Sequence, residues 1–284
     1  MKKTLLTATI LMAAAITAGC GSGSGSMMDN NTSAAKTISG AVADGYLVDA
    51  QVFLDKNFNY TLDAGEPNTV TDANGAYTLT VDPADIGRYP VVAVAIAGVT
   101  TDLDNPTQKI AGSYVLSMHA VSLAPAAAGT VTGSVNNFIS PISTQIREMM
   151  ETGKYTDVND AVIELRASLG MPSTSNIMGN YIANQNSNLQ LAARNMASLM
   201  GSQSGQVMPG NTLNVNGYRS MMGSVFGNIS TIRTNNTAQT TAMIQLRDKM
   251  MTTVAAAPLV SQGIPFRNFS SFYRSGMSGG RMGW

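Results

Sequence analysis

The chain has 284 residues, with 17 basic and 17 acidic side chains, and only 12% of it is charged, about half the usual share. No basic excess exists to hold nucleic acid through net charge, so no nucleic-acid partner is expected. One cysteine and one histidine leave no disulfide and no thiolate or histidine-cluster metal site.

At the start of the chain, Lys2 and Lys3 precede an apolar run from Leu5 to Ile16, then the small-residue stretch Thr17-Ala18-Gly19 ahead of Cys20. A charged region, a short apolar region and a small-residue cleavage site form an export signal, too short to span a bilayer. A cysteine directly after the small residues resembles the lipobox of bacterial lipoproteins, with Thr17 standing where leucine is usual. The resemblance implies cleavage after residue 19 and attachment of lipid (palmitate among its chains) at Cys20. It also implies an anchor at the outer membrane of a Gram-negative cell, on the periplasmic face or the cell surface, and Gly21 fits outer-membrane sorting. Removing residues 1–19 takes Lys2 and Lys3 from the 17 basic residues and so leaves 15 against 17 acidic ones.

Residues 20–36 read as a flexible tether, because Gly/Ser repeats lose too much entropy on ordering. Residues 37–125 carry a β signal. Ile38, Gly40 and Val42 begin a strand that ends at the Asp44-Gly45 turn. Ala50, Val52 and Leu54 alternate with Gln51, Phe53 and Asp55. A Gly75-containing turn separates two strand-like runs, and Val91 to Ile96 suits a strand buried on both faces. Tyr114 to Leu123 adds another. Short strands at this spacing predict an antiparallel sandwich.

From Asn137 the period becomes helical. Ser140-Pro141 suits N-cap and N1 positions, and Ile142, Ile146, Met149 and Met150 share a face. Asp157 caps a second helix that Gly170 and Pro172 end. Further helices are predicted near 185–201, 217–233 and 238–256, a bundle of about five over 137–257. Residues 258–284 read as a disordered tail.

Between strands lies Asp55-Lys56-Asn57-Phe58-Asn59-Tyr60-Thr61-Leu62-Asp63-Ala64-Gly65-Glu66. Counting Asp55 as position 1, oxygen side chains fall at 1, 3, 5, 9 and 12, and Thr61 at 7 offers its carbonyl. That is the EF-hand loop spacing, which turns alternate oxygens toward one hard cation. Tyr60 departs from it at position 6, where glycine normally permits the sharp turn. The expected ligands are Asp55, Asn57, Asn59, Thr61, Asp63 and Glu66, and the oxygen-only set favours Ca²⁺ over Mg²⁺.

The segment VFLDKNFNYTLDAGEPNTVTDANGAYTL resembles the calcium-binding B-type repeats of surface adhesins and the related carboxypeptidase-regulatory-like domains. Both share its D-x-N-x-N-x-x-x-D-x-G-E-P loop and T-D-x-x-G-x-Y-x-L hairpin. The resemblance implies an immunoglobulin- or transthyretin-like sandwich with a structural Ca²⁺, acting as stalk, spacer or binding domain rather than catalyst. The segment from Ile139 to Thr144, with Asp160-Ala161 and Leu169-Gly170, is similar to the region after such domains in bacterial surface lipoproteins.

Other candidates favour plain roles. His119 is a lone histidine in an apparent strand, with no adjacent nucleophile or ligand set. Gly276-Met277-Ser278-Gly279-Gly280 matches G-x-S-x-G without the strand, helix and later histidine an elbow needs. The Asp102/Asp104 and Asp82/Asp85 pairs read as turn residues. Fourteen of the 19 methionines follow residue 140, mostly at core-like helical spacing. Arg and aromatic residues mix in the tail without alternating strands. The reading is an α+β multidomain chain, with an N-terminal antiparallel β-sandwich followed by an α-helical bundle. It is lipid-anchored and non-enzymatic, a structural or adhesion-like binding module stabilised by calcium. The alternative is a periplasmic scaffold or polysaccharide-binding accessory. A protein or polysaccharide partner at the envelope is expected in either case.

Overall fold

Strand β1 (Lys36–Val42) lies at the centre of a three-stranded sheet. It pairs antiparallel with β5 (Ala76–Val81) and parallel with β9 (Asn137–Ile139). A second sheet runs β4 (Asn68–Val70), β3 (Gln51–Leu54), β6 (Val91–Ala95), β8 (Tyr114–Met118), all antiparallel. A two-stranded ribbon joins β2 (Leu47–Val48) to β7 (Thr101–Asp102). The computed structural model describes residues 35–120 and 137–257. The signal, Cys20, nearly all of the tether, and the tail with its G-x-S-x-G match therefore lie outside the described residues.

Every residue of β6 and β8 is buried, as a continuous β-branched run requires of a strand covered on both faces. Two strand expectations are corrected. The T-D-x-x-G-x-Y-x-L segment is not a hairpin: β4 pairs with β3 and β5 with β1, so the turn at Asp72–Gly75 carries the chain from one sheet to the other. Gly75, at φ 73°, lies beside Tyr46 and the backbone of Val42 and Leu47, too close for a side chain. Residues 137–139 are strand rather than helix, since Asn137, Phe138 and Ile139 complete the sheet edge beside β1, and β1–β9 is a parallel pair in an otherwise antiparallel set.

The helix then starts at α1 (Pro141–Glu151). Ser140 and Ser143 form a reciprocal capping box, each hydroxyl accepting the other's N–H, and Pro141 takes N1. That satisfies two of the four orphan donors of the first turn. All of α1 from Pro141 to Met149 is buried, because it lies against β8 and β9 on one side and α2, α3 and α5 on the other. Each fully buried Ile, as at 142 and 146, contributes about 1.5–3 kcal/mol.

Six further helices follow: α2 (Val158–Ser168), α3 (Ser187–Ser202), α4 (Ser204–Val207), α5 (Val215–Gly227), α6 (Ile229–Thr234) and α7 (Thr241–Ala255). The described part is thus a mixed α+β fold with seven α-helices. Asp157 caps α2 as expected, and Gly170 follows it at φ 65°. The single stretch predicted over 217–233 is broken at Asn228, which leaves helical geometry and donates its amide to the Ser224 carbonyl. The methionines at 149, 196, 200, 221, 222, 243 and 250 are buried as core. Sheets and helices belong to one compact unit and share one cluster of buried apolar residues.

Candidate functional site

The loop from Asp55 to Glu66 leaves the end of β3 and returns to β4. Asp55 Oδ1 accepts the Asn59 N–H at 2.9 Å, and Oδ2 accepts the Tyr60 N–H at 3.1 Å. Asn57 Oδ1 accepts from Asn59 N at 3.3 Å, and Asn59 Oδ1 from Thr61 N at 2.7 Å. These are the local Asx bonds that short polar side chains offer a tight loop. Both asparagine amides donate to Asp63 Oδ2, at 2.7 and 2.6 Å. Glu66 closes the loop, one oxygen accepting Lys56 N at 2.7 Å and the other Asp63 N at 3.0 Å. Burial pushes the Glu66 pKa up, with the Asp55 and Asp63 charges adding to it, against backbone hydrogen bonds that pull it down.

Tyr60 takes the turn that glycine normally takes. Its φ is 61°, and Phe58 two residues earlier is at 63°. A left-handed conformation costs an L-residue roughly 1–2 kcal/mol, so something must hold it there. The Tyr60 ring is buried, with the Arg147 guanidinium 3.6 Å from its centroid and the Tyr218 ring at 5.1 Å. Its hydroxyl donates to Glu148.

Arg147, on α1, is the residue that sequence reasoning missed. It is fully buried and donates to Asp55 Oδ2 at 3.0 Å, with Glu151 3.8 Å from Nε. Burial alone would lower its pKa, but Tyr60, Asp55, Glu151 and Glu148 together raise it, so it stays charged. Burial also pushes Glu148 up to about 7, against the Tyr60 hydrogen bond and the Arg147 charge. His119, just beyond β8, is buried too; desolvation first, then Arg147, lowers it to about 4. Helical spacing places Arg147 about 100° around α1 from Ile146, off the apolar face of Ile142, Ile146, Met149 and Met150, where a charge reads as solvent-facing.

The six expected ligands thus share one loop, with Asp55, Asn57, Asn59 and Asp63 linked by hydrogen bonds and Thr61 and Glu66 adjoining them. The carboxylates do not already converge: among the described residues no three His, Cys, Asp or Glu side chains form a group that could hold a metal ion. The donor chemistry nevertheless suits a hard cation, since it comprises three carboxylates, two amide oxygens and the Thr61 carbonyl, and carboxylate oxygens keep spare lone pairs beyond the bonds they accept. Asp55 is the shared member, facing the loop and Arg147 together.

Of the turn carboxylates, Asp82 caps the short turn at Pro83–Asp85 and Asp85 accepts from Lys56 at 2.8 Å. Asp102 accepts the Asp104 N–H at 2.9 Å. No family model matches the chain, and no curated protein or solved structure matches it either. No helix among the described residues is long and apolar enough to cross a membrane.

Proposed function

We propose that the chain is a lipid-anchored cell-envelope protein whose calcium-stabilised β-region and helices form a non-enzymatic structural or binding module. In this reading its β-sheets follow the immunoglobulin- or transthyretin-like sandwich plan of the adhesin repeats that the sequence resembles, and the helices form the second part. The observation that carries it is the Asp55–Arg147 bond. Through it the loop 55–66 is tied to buried helix α1, so an ion held by Asp55, Asn57, Asn59, Thr61, Asp63 and Glu66 would stiffen the junction between sheets and helices. Binding only to the folded state adds its free energy to stability. The anchor rests on Cys20, and the partner would be a protein or polysaccharide of the envelope.

The test is one preparation with two readings. Full-length protein extracted from membranes enters a detergent phase on phase separation, whereas Cys20→Ser stays aqueous. Melted at a hundredfold excess of calcium over its dissociation constant, the protein gains about 2.7 kcal/mol, roughly 5–10 °C for a domain of this size, relative to excess chelator. Asp63→Ala abolishes the difference. Equal melts with and without calcium overturn the calcium reading, and equal partitioning overturns the anchor.

A further inference from the structure

Sharing no residue with the calcium loop, an open groove of about 1050 Å³ is lined by residues of both the β-region and the helices. Its acidic end is built around Gly45. A Cβ there would lie 2.1 Å from Asp102 Oδ1 and 2.9 Å from Asp104 Oδ2, so only glycine lets both carboxylates fold onto the turn. Asp44 precedes it and is 6% exposed. Tyr114 donates to its Oδ2 at 3.1 Å, while Oδ1 has no hydrogen-bond partner although the residue lines the groove. Such an oxygen is costly to bury unbonded.

Three carboxylates meet one guanidinium here: Arg194 holds Asp104 at 3.1 Å. Arg247 also lines the groove but is paired with Asp248. Burial first, then the Asp102 charge, drives Asp44 well above the usual carboxylate range, and burial raises Asp102. Burial leads both shifts, and the neighbouring carboxylates add to them. Spaced carboxylates suit a head group whose donors splay, and an ammonium has three donors and no acceptor. The rest of the lining includes Ser198, Ser202, Thr237 and Gln239, hydroxyls and amides that match a polar body rather than an acyl chain.

We propose that this groove binds a small polar organic cation, its primary ammonium seated between Asp44 and Asp102, of the amino-sugar or polyamine class. The site is independent of the calcium loop and stands whether or not that loop holds an ion.

Titration calorimetry on the full chain tests it, with glucosamine trimer, its fully N-acetylated counterpart and spermidine as probes. The glucosamine trimer or spermidine binds saturably, and which of them binds more tightly separates the two sources of ammonium. The acetylated trimer, lacking the charge, does not bind. Asp102→Asn keeps the turn acceptor for Asp104 but weakens binding about tenfold or more, the worth of one charged hydrogen bond. Arg194→Gln, at a half-exposed position, removes the competing cation and tightens binding instead. A merely structural role for Asp102 would not give opposite signs. No saturable binding of either charged probe, equal binding of the acetylated trimer, or affinities unmoved by both variants would overturn the proposal. So would displacement of the bound probe by millimolar calcium or magnesium, which would make the site a metal site.

Discussion

At the scale of the residue, Tyr60 carries two opposed effects, and their magnitudes decide which dominates. Its positive φ costs roughly 1–2 kcal/mol that glycine would not incur, while removing a buried aromatic ring costs about 3–5 kcal/mol. Tyr60→Gly should therefore relax the loop and still destabilise the protein by about 1–4 kcal/mol by denaturant unfolding. Stability equal to or above wild type would show that the backbone strain outweighs the burial of the ring. The sequence showed Tyr60 as a departure from a loop template and placed all six oxygen positions around it. It could not show why the departure is tolerated. That reason is a guanidinium stacked on the ring from position 147, and a contact across so many residues leaves no trace in local spacing.

At the scale of the element, patterns that depend on neighbours in sequence were legible, and pairings between distant segments were not. Ser140-Pro141 and Asp157 announced their helix starts because capping is a local exchange of hydrogen bonds. The buried run at β6 was legible because burial on both faces removes alternation. The strands β4 and β5 were legible individually, but their partners were not, since a turn of the same residues serves a hairpin or a crossing between sheets. Strand β9 was lost because three residues ahead of a helix carry no period. Its placement depends on Gly40, whose Cβ would sit 2.0 Å from the Asn137 carbonyl oxygen. Gly40→Ala should then part β9 from β1, costing about 1–3 kcal/mol as an overpacked site does, with faster amide exchange at residues 137–139. Gly223, on α5, is the control, because a Cβ there meets nothing within 4 Å. Gly223→Ala should stabilise by about 0.4–1 kcal/mol. A Gly40→Ala protein as stable as wild type would show that the sheet edge shifts without cost.

At the scale of the whole molecule, one apolar cluster joins sheets and helices, and the polar groups trapped within it set how stability depends on pH. Glu148 and His119 both stand near Arg147, yet burial moves them in opposite senses. Glu148 rises to about 7 in the fold from an ordinary 4.5. Between those values the folded state holds the extra proton, so this group adds stability as pH falls from 7 to 4.5 and withdraws it as pH rises. His119 falls to about 4 from 6.5. There the unfolded state holds the extra proton, so stability is lost as pH falls from 6.5 to 4. Across roughly 4.5 to 6.5 the two slopes oppose each other, each amounting to about 3 kcal/mol in full at 1.36 kcal/mol per pKa unit. Other carboxylates, Asp44, Asp102, Glu66 and Glu151, also have raised pKa values, so a difference between variants isolates the pair better than the wild-type curve does. Glu148→Gln removes a group that favours acid. Wild type should gain on it by up to about 3 kcal/mol as pH is lowered from 7 to 4.5. His119→Gln removes a group that opposes acid, and wild type should lose on it by a similar amount between 6.5 and 4. Urea unfolding at half-unit steps reads both differences. Parallel curves for wild type and either variant would mean that the group titrates alike in the folded and unfolded chains, and that the buried network around Arg147 is open to water.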